Sequence, residues 1–160
     1  MFGFQNTPAG DTNARIKSVF IYNFTRYIEW PADYKSGNFV ICLYGNNTTM
    51  LTELNNMAKT KTVGTQKIEV RNINSLDAIG KNHILYVTPD VTTPLKDIIA
   101  KLKGKSTLLV TEKPGQAKEG SAINFIVVDN RQKFELNQGN ASKYNLKVSS
   151  SLVALAIPVE

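Results

Sequence analysis

The chain has 160 residues, of which 42% are hydrophobic and 20% charged, a composition typical of one globular domain with its own core. Its formal net charge of +6 is compatible with an acidic partner, but the lysines are scattered and do not predict a nucleic-acid interface. With one cysteine, Cys42, an intrachain disulfide is excluded, and no apolar run is long enough to cross a bilayer.

The first predicted element is an amphipathic helix that begins near Ile16 and ends before Pro31. Asp11 or Thr12 can cap its start, and Pro31 moves the preceding Trp30 out of helical geometry. Steps of three and four residues predict one apolar stripe that faces the core. That stripe comprises Ile16, Val19, Phe20, Phe24, Tyr27 and Ile28. Residues 1–13 are predicted to form a loose arm, and residues 14–160 a single domain.

Glu29 and Trp30 lie at the exit of this helix, and Trp30 is the only tryptophan of the chain. One interpretation is that Trp30 closes the edge of the core, because tryptophan is usually highly buried. The other is that Glu29 and Trp30 shape a surface that binds a partner or a ligand. The sequence leaves both interpretations open.

Strands and helices then alternate along the chain. Continuous apolar runs predict strands buried on both faces, whereas strict alternation at 67–71 predicts a strand with one face in water. Asp129 and Asn130 predict a two-residue hairpin turn. In chain order we expect a strand at 39–44, a helix capped by Thr48 or Thr49 that ends near 58, a strand at 67–71, a helical turn at 74–79, a strand at 83–87, a helix at 94–102, strands at 106–110, 122–128 and 131–136, a helical turn at 140–145, and a helix or strand at 149–156.

This alternation predicts an α/β fold in three layers. We expect a mostly parallel sheet of about five to six strands, with helices on both faces and an antiparallel hairpin at one edge. The half-exposed second strand fits the opposite edge, which gives the strand order 2-1-3-4-5 of flavodoxin-like sheets.

In such a sheet, ligands bind beyond the carboxyl ends of the strands, where the strand order reverses. That point would lie between the first and third strands. The residues that follow these two strands form a candidate cleft, and the helix start near Thr48 would present N–H groups to an anion. The candidates are Gly45, Asn46, Thr88 and Asp90.

Sequence motifs for catalysis are lacking. Gly104-Lys105-Ser106 resembles the end of a phosphate-binding loop, but the glycine required five residues earlier is replaced by Ile99. His83 is the only histidine and begins a predicted buried strand, which argues against a catalytic triad and a zinc site. We therefore expect no catalytic residue, no metal and no cofactor.

Two polar features are candidate binding residues. Asn124 interrupts an apolar strand, so its amide must find partners: it either pins the neighbouring glycine-rich loop or faces a ligand. Ser149 and Ser150 precede an apolar segment, with Lys147 beside them. They either cap a helix or offer N–H groups to an anion.

Six segments, from about Ala14 to Ala156, resemble the YfiR/HmsC-like family in order and in sequence. The helix exit EWP, the G-x-x-INF strand and the closing basic-x-SS-x-L together carry the resemblance. The segments are IKSVFIYNFTRYIEWP, FVICLYG, TVGTQKIEVRNI, HILYVTP, LLVTEKPGQAKEGSAINFIV and LKVSSSLVALA.

The resemblance implies a secreted, periplasmic α/β protein without enzymatic activity, whose signal peptide would precede residue 1. Characterised members restrain a membrane-bound diguanylate cyclase by binding its periplasmic part, and an OmpA-like outer-membrane lipoprotein can sequester them. The expected function is thus a regulatory or adaptor domain that binds the extracytoplasmic part of a membrane signalling protein, either a cyclase or a sensor kinase.

The rival hypothesis is a periplasmic module that binds a small molecule, either a nucleotide or an amino acid. A homodimer is left open. The chain lacks the disulfide cysteines of the best-known members, since Cys42 is its only cysteine.

Overall fold

The computed structural model describes residues 11–160, so most of the predicted N-terminal arm lies outside the described residues. The helices are α1 (Ala14–Tyr27), α2 (Thr48–Thr60), α3 (Leu95–Leu102), α4 (Gln116–Glu119), α5 (Gln138–Lys143) and α6 (Ser150–Leu155). The strands are β1 (Ile28–Glu29), β2 (Phe39–Tyr44), β3 (Thr62–Val63), β4 (Gln66–Ile73), β5 (Ile84–Val87), β6 (Leu108–Thr111), β7 (Ile123–Val128), β8 (Arg131–Leu136), β9 (Lys147–Val148) and β10 (Ile157–Pro158).

The main sheet has the strand order β10-β8-β7-β6-β5-β2-β4-β3. Strands β4, β2, β5, β6 and β7 are parallel neighbours, which confirms the predicted order 2-1-3-4-5 and the α/β class. Two additional strands, β3 and β10, have only two residues each, too short to carry a periodic signal. Because β10 pairs with β8, the predicted edge hairpin lies one strand in from the edge.

Local chemistry explains several of these elements. The β7–β8 hairpin turns at Asp129 and Asn130, both with positive φ, as a two-residue turn of this kind requires. All residues of β2, β5 and β6 are buried, which agrees with their continuous apolar runs. The crossovers from β2 to β4 and from β5 to β6 run in opposite directions along the sheet, and the right-handed rule for such connections places α2 and α3 on opposite faces.

The rotation of α1 differs from the predicted stripe. Ile16 and Val19 are 49% and 53% exposed, whereas Ile21 and Phe24 are fully buried. The buried face also holds Ala14, Lys17, Ser18 and Thr25. Part of the stripe is correct, since Phe24 packs edge-on against Phe134 with ring centroids 5.1 Å apart. The stripe was wrong at its start because Lys17 finds charged partners inside the protein.

The predicted helix caps were also wrong. The N-cap of α1 is Asn13, and the side chain of Asp11 accepts a hydrogen bond from the Asn13 N–H at 3.0 Å. The N-cap of α2 is Asn47, one residue before the predicted Thr48. Its Oδ1 accepts a hydrogen bond from the N–H of Met50 at 2.9 Å. Asparagine and threonine compete for such positions, and the sequence pattern does not decide between adjacent candidates.

Candidate functional site

A short antiparallel ladder brings two distant candidate segments together. Strands β1 and β9 pair Ile28 with Val148 and Glu29 with Lys147. The N–H of Ser149 extends the ladder by donating to the carbonyl of Tyr27 at 2.9 Å. Because Pro31 ends the helical geometry, the segment before it is extended and free to pair. Glu29, Trp30, Lys147, Ser149 and Ser150 therefore lie in one region, which we call the β1–β9 surface.

The exposed part of the β1–β9 surface carries charges of both signs. The Glu29 carboxylate accepts a hydrogen bond from Lys35 Nζ at 2.9 Å, and both side chains are exposed. The pKa of Glu29 lies below its usual value, mainly because of the hydrogen bond and the charge of Lys35 and then because of the charge of Lys147. Charges in such an exposed setting contribute to partner selection more than to stability.

Trp30 is a core residue at the base of this surface. Its side chain is 5% exposed, and its Nε1–H donates to the His83 carbonyl at 3.1 Å. Its ring packs edge-on against Phe39, with centroids 5.0 Å apart. Of the two interpretations of Trp30, the structure therefore favours the one in which it closes the core edge.

Trp30 nevertheless forms a wall of a cavity of about 400 Å³, which we call the Trp30 pocket. Aromatic side chains surround it, and charged side chains reach it from the exposed surface. The aromatic group consists of Trp30, Tyr34, Phe39 and His83, and the charged group of Arg26, Glu29 and Lys35. This combination of apolar walls and a few polar groups is typical of small-molecule pockets.

His83 is held neutral mainly by burial, and its two backbone partners fix its tautomer. Its Nδ1 accepts from the N–H of Val40 at 3.1 Å, so Nε2 carries the proton and donates to the Tyr34 carbonyl at 2.6 Å. Burial is the main cause that lowers the pKa of His83. Both ring nitrogens are therefore engaged with backbone groups.

The two serines of the β1–β9 surface differ in their environments. Ser149 occupies the N-cap position of α6, as the capping interpretation predicted, but its side chain makes no capping hydrogen bond. Its Oγ is buried and has no hydrogen-bond partner within residues 11–160. Ser150 begins α6 and is exposed.

Asn124 lies away from the other candidates, on β7. It is fully buried, and its Oδ1 accepts from Thr111 Oγ1 at 2.7 Å. Its Nδ2 donates to the Lys113 carbonyl at 2.9 Å and to Glu135 Oε1 at 3.1 Å. These bonds use both ends of the amide and attach the loop after β6 to the sheet, which supports the loop-pinning interpretation.

The predicted cleft at the strand-order reversal exists between β2 and β5 as a polar cavity of about 340 Å³, lined in part by Gly45, Asn46 and Asp90. Asp90 Oδ2 accepts from the N–H of Asn46 at 3.0 Å, and the hydroxyl of Thr88 contacts the same carboxylate. A Cβ at Gly45 would overlap Thr88 Oγ1. Burial opposes ionisation of Asp90, but the bonds from Thr88 and Asn46 outweigh it and lower its pKa. The Asp90 carboxylate thus gives the lining of this cavity a negative charge, which does not favour an anionic ligand.

The YfiR/HmsC-like family model matches residues 14–157 of the chain, which is nearly all of the fold described above. The chain belongs to the YfiR/HmsC-like family. The family resemblance of the six sequence segments is thereby confirmed. A search of curated proteins found no match for the chain.

This YfiR/HmsC-like domain also contains a buried charged cluster that sequence reasoning missed. Lys17 is 2% exposed, and its Nζ lies 2.5 Å from Asp11 Oδ2 and 3.0 Å from Glu112 Oε2. The hydroxyl of Tyr86 donates to Glu112, and burial, followed by the charge of Glu112, raises the pKa of Tyr86. Lys17, Ile21 and Phe24 are spaced four and three residues apart, so they lie on one face of α1. That spacing was the sequence signal that could have predicted the burial of Lys17.

The cysteine of this YfiR/HmsC-like domain, Cys42, is buried in the core. Burial raises the pKa of Cys42 to about 11, so its thiol stays protonated and is a poor nucleophile.

Within residues 11–160, no group of three His, Cys, Asp or Glu side chains could hold a metal ion. No helix in this described range is long and apolar enough to span a membrane.

Proposed function

We propose that this protein is a non-enzymatic periplasmic regulatory domain. It binds the extracytoplasmic part of a membrane signalling protein and restrains that protein by stoichiometric docking. The partner we propose is a diguanylate cyclase. Family membership over residues 14–157 is the observation that carries this proposal. An OmpA-like outer-membrane lipoprotein would be the second partner, competing for the domain and releasing the restraint.

The β1–β9 surface supports a docking role. Its exposed charges, Glu29, Lys35 and Lys147, surround apolar walls that include Trp30, and an apolar centre with a polar rim is the usual arrangement of protein interfaces. Rim charges of both signs select a complementary partner and accelerate encounter.

A genetic and a biochemical measurement test the proposal. Deleting the gene in its native host should raise cyclic di-GMP, because the restrained cyclase becomes active, and periplasmic expression should restore the lower level. The purified protein should bind the purified extracytoplasmic domain of that cyclase in calorimetry. Lys147→Glu should weaken binding, with Lys118→Glu on α4 as the matched exposed control. Unchanged cyclic di-GMP together with no binding would refute the proposal.

The Trp30 pocket favours one second candidate, a periplasmic module that binds a nucleotide or an amino acid. A ligand panel in thermal-shift assays separates this function from pure docking. A ligand at about a hundredfold above its Kd should add roughly 2.7 kcal/mol to the free energy of unfolding. A pocket variant, Thr65→Trp, should abolish that stabilisation, since Thr65 is an exposed residue that lines the pocket.

A further inference from the structure

A groove of about 610 Å³ lies between α1 and α2, on the same side of the sheet. We call it the interhelical groove. Its apolar lining includes Val19 from α1 and Met57 from α2, and its charged lining is Arg15, Arg26, Glu53 and Lys61. Since α1 has 14 residues and a helix rises about 1.5 Å per residue, the groove follows a helix roughly 21 Å long.

Apolar side chains are exposed along this groove for a reason that lies inside the protein. Val19 lines the groove and is 53% exposed. Ile16 on the same helix is 49% exposed but does not line the groove. The ion pairs of Lys17 with Asp11 and Glu112 hold α1 in the rotation that turns these two residues outward. The buried lysine thus leaves apolar Val19 exposed opposite Met57 of α2, which gives the groove an apolar lining.

The charges of the groove decide which occupant fits. Arg15, Arg26 and Lys61 outnumber Glu53, and among residues 11–160 none of these four takes part in an ion pair. The ammonium of Lys61 lies 5.4 Å from the centroid of the Tyr22 ring, which also lines the groove. A second copy of the chain would bring these cations against one another, so the groove is complementary to an acidic partner.

We propose that the interhelical groove binds an acidic amphipathic helix of the membrane signalling partner, an inference that rests on the proposed function. Apolar side chains of that helix, spaced i, i+3 and i+7, would contact Val19 and Met57, while its carboxylates would face Arg15, Arg26 and Lys61. Arg26 lines both the groove and the Trp30 pocket, so the groove and the pocket are adjacent.

A peptide assay tests the groove without the membrane partner. The probe is a fluorescein-labelled peptide of about 18 residues, with leucines at helical spacing along one face and glutamates beside them. Its counterpart carries lysines in place of the glutamates. Fluorescence anisotropy with the whole purified chain should show binding of the acidic peptide, weakened by added salt, and no binding of the basic one.

Matched variants locate the binding. Val19→Asp should weaken binding of the acidic peptide at least about tenfold, while Val127→Asp, at a residue 57% exposed on β7, should leave it unchanged. Arg26→Glu should weaken it similarly, and Lys96→Glu on α3 should not. Arg26 is exposed, so this variant provides a test even where Val19→Asp fails to fold.

Equal binding of the two peptides, or acidic-peptide binding that Val19→Asp and Arg26→Glu leave unchanged, would overturn the inference. No binding of the acidic peptide at low salt would overturn it as well. These failures are distinct from failure of the proposed function, which the cyclic di-GMP level and the cyclase-domain titration measure. If the acidic peptide does not bind but the cyclase domain still does, the proposal for the groove is refuted and the proposed function is not.

Discussion

His83 shows how one buried residue links the fold to pH. Its neutral ring accepts a hydrogen bond from Val40 and donates one to Tyr34, which connects β2 and the segment after β1 to the start of β5. A proton added at Nδ1 would remove the acceptor for the Val40 N–H and place a charge in the core. Burial therefore lowers the pKa of His83 in the folded protein, relative to the unfolded chain.

This sign predicts a loss of stability in mild acid. The contribution of neutral His83 is complete above its unfolded pKa of about 6.5 and is lost as the pH falls through the lower folded value. Urea unfolding between pH 7.5 and pH 5 should show a falling free energy of unfolding. His83→Gln, which cannot titrate, should flatten that slope, and an equal slope in both proteins would refute the role of His83. Glu29, Glu69 and Asp90 also have lowered pKa values, but these carboxyl groups change the pH dependence of stability only in a more acidic range.

Trp30 is predicted to be a stability residue first. Because its ring is buried against Phe39 and its N–H bonds to the His83 carbonyl, Trp30→Ala should lower the free energy of unfolding by ~3–5 kcal/mol. Trp30→Phe keeps a ring and loses one hydrogen bond, so it should cost about 1–2 kcal/mol. Chemical denaturation measures both. A fully stable Trp30→Ala variant that loses partner binding would instead establish the binding interpretation.

At the scale of elements, α1 is the helix whose orientation carries most consequences. Its hydrophobic periodicity is compatible with two rotations, and the buried Lys17 selects the one in which Ile16 and Val19 are exposed. The C-terminal end of α1 leads directly into β1, whose pairing with β9 assembles the β1–β9 surface. One helix thus positions both proposed binding regions.

Removing the Lys17 charge should test this selection. Lys17→Met leaves Asp11 and Glu112 without their buried partner, and breaking such a pair typically costs 3–5 kcal/mol. We expect about 3 kcal/mol, the lower end, because both carboxylates retain some contact with solvent. Thermal or urea unfolding measures the change, with Lys59→Met on the exposed face of α2 as the control. Equal stability of the two variants would mean that the cluster does not hold α1.

At the scale of the whole molecule, the strand order creates a cleft whose two loops are joined by hydrogen bonds of the protein's own groups. Strands β2 and β5 are neighbours, and the chain leaves each of them at the same edge of the sheet. Gly45 lets Thr88 approach the backbone, and Asp90 accepts the Asn46 N–H. This use of the reversal point shows that a sheet topology which often binds ligands also serves to join loops.

Two glycines with positive φ provide a matched test of that close approach. Gly64→Ala has open space around its Cβ, so it should cost only the strain of its backbone, about 1 kcal/mol. Gly45→Ala adds an overlap with Thr88 and a φ of +128°, which alanine adopts less readily than the +58° of Gly64, so it should cost clearly more, as measured by urea unfolding. Equal costs at the two positions would show that the β2–β5 join yields easily.

Local patterns in the sequence by themselves determined the α/β class, the strand order 2-1-3-4-5, the turn at Asp129 and Asn130, and the family. The class and the turn depend on neighbouring residues, whose spacing fixes which side chains share a face, and the strand order follows from the few topologies that alternating strands and helices permit. Only the tertiary structure decided the rotation of α1, the pairing of β1 with β9, and the internal use of Asp90. Each of those depends on partners far away in the chain, as Lys17 depends on Glu112 and Glu29 on Lys147. A periodic pattern carries no information about such partners, because the energy of a buried charge is set by what the fold brings next to it.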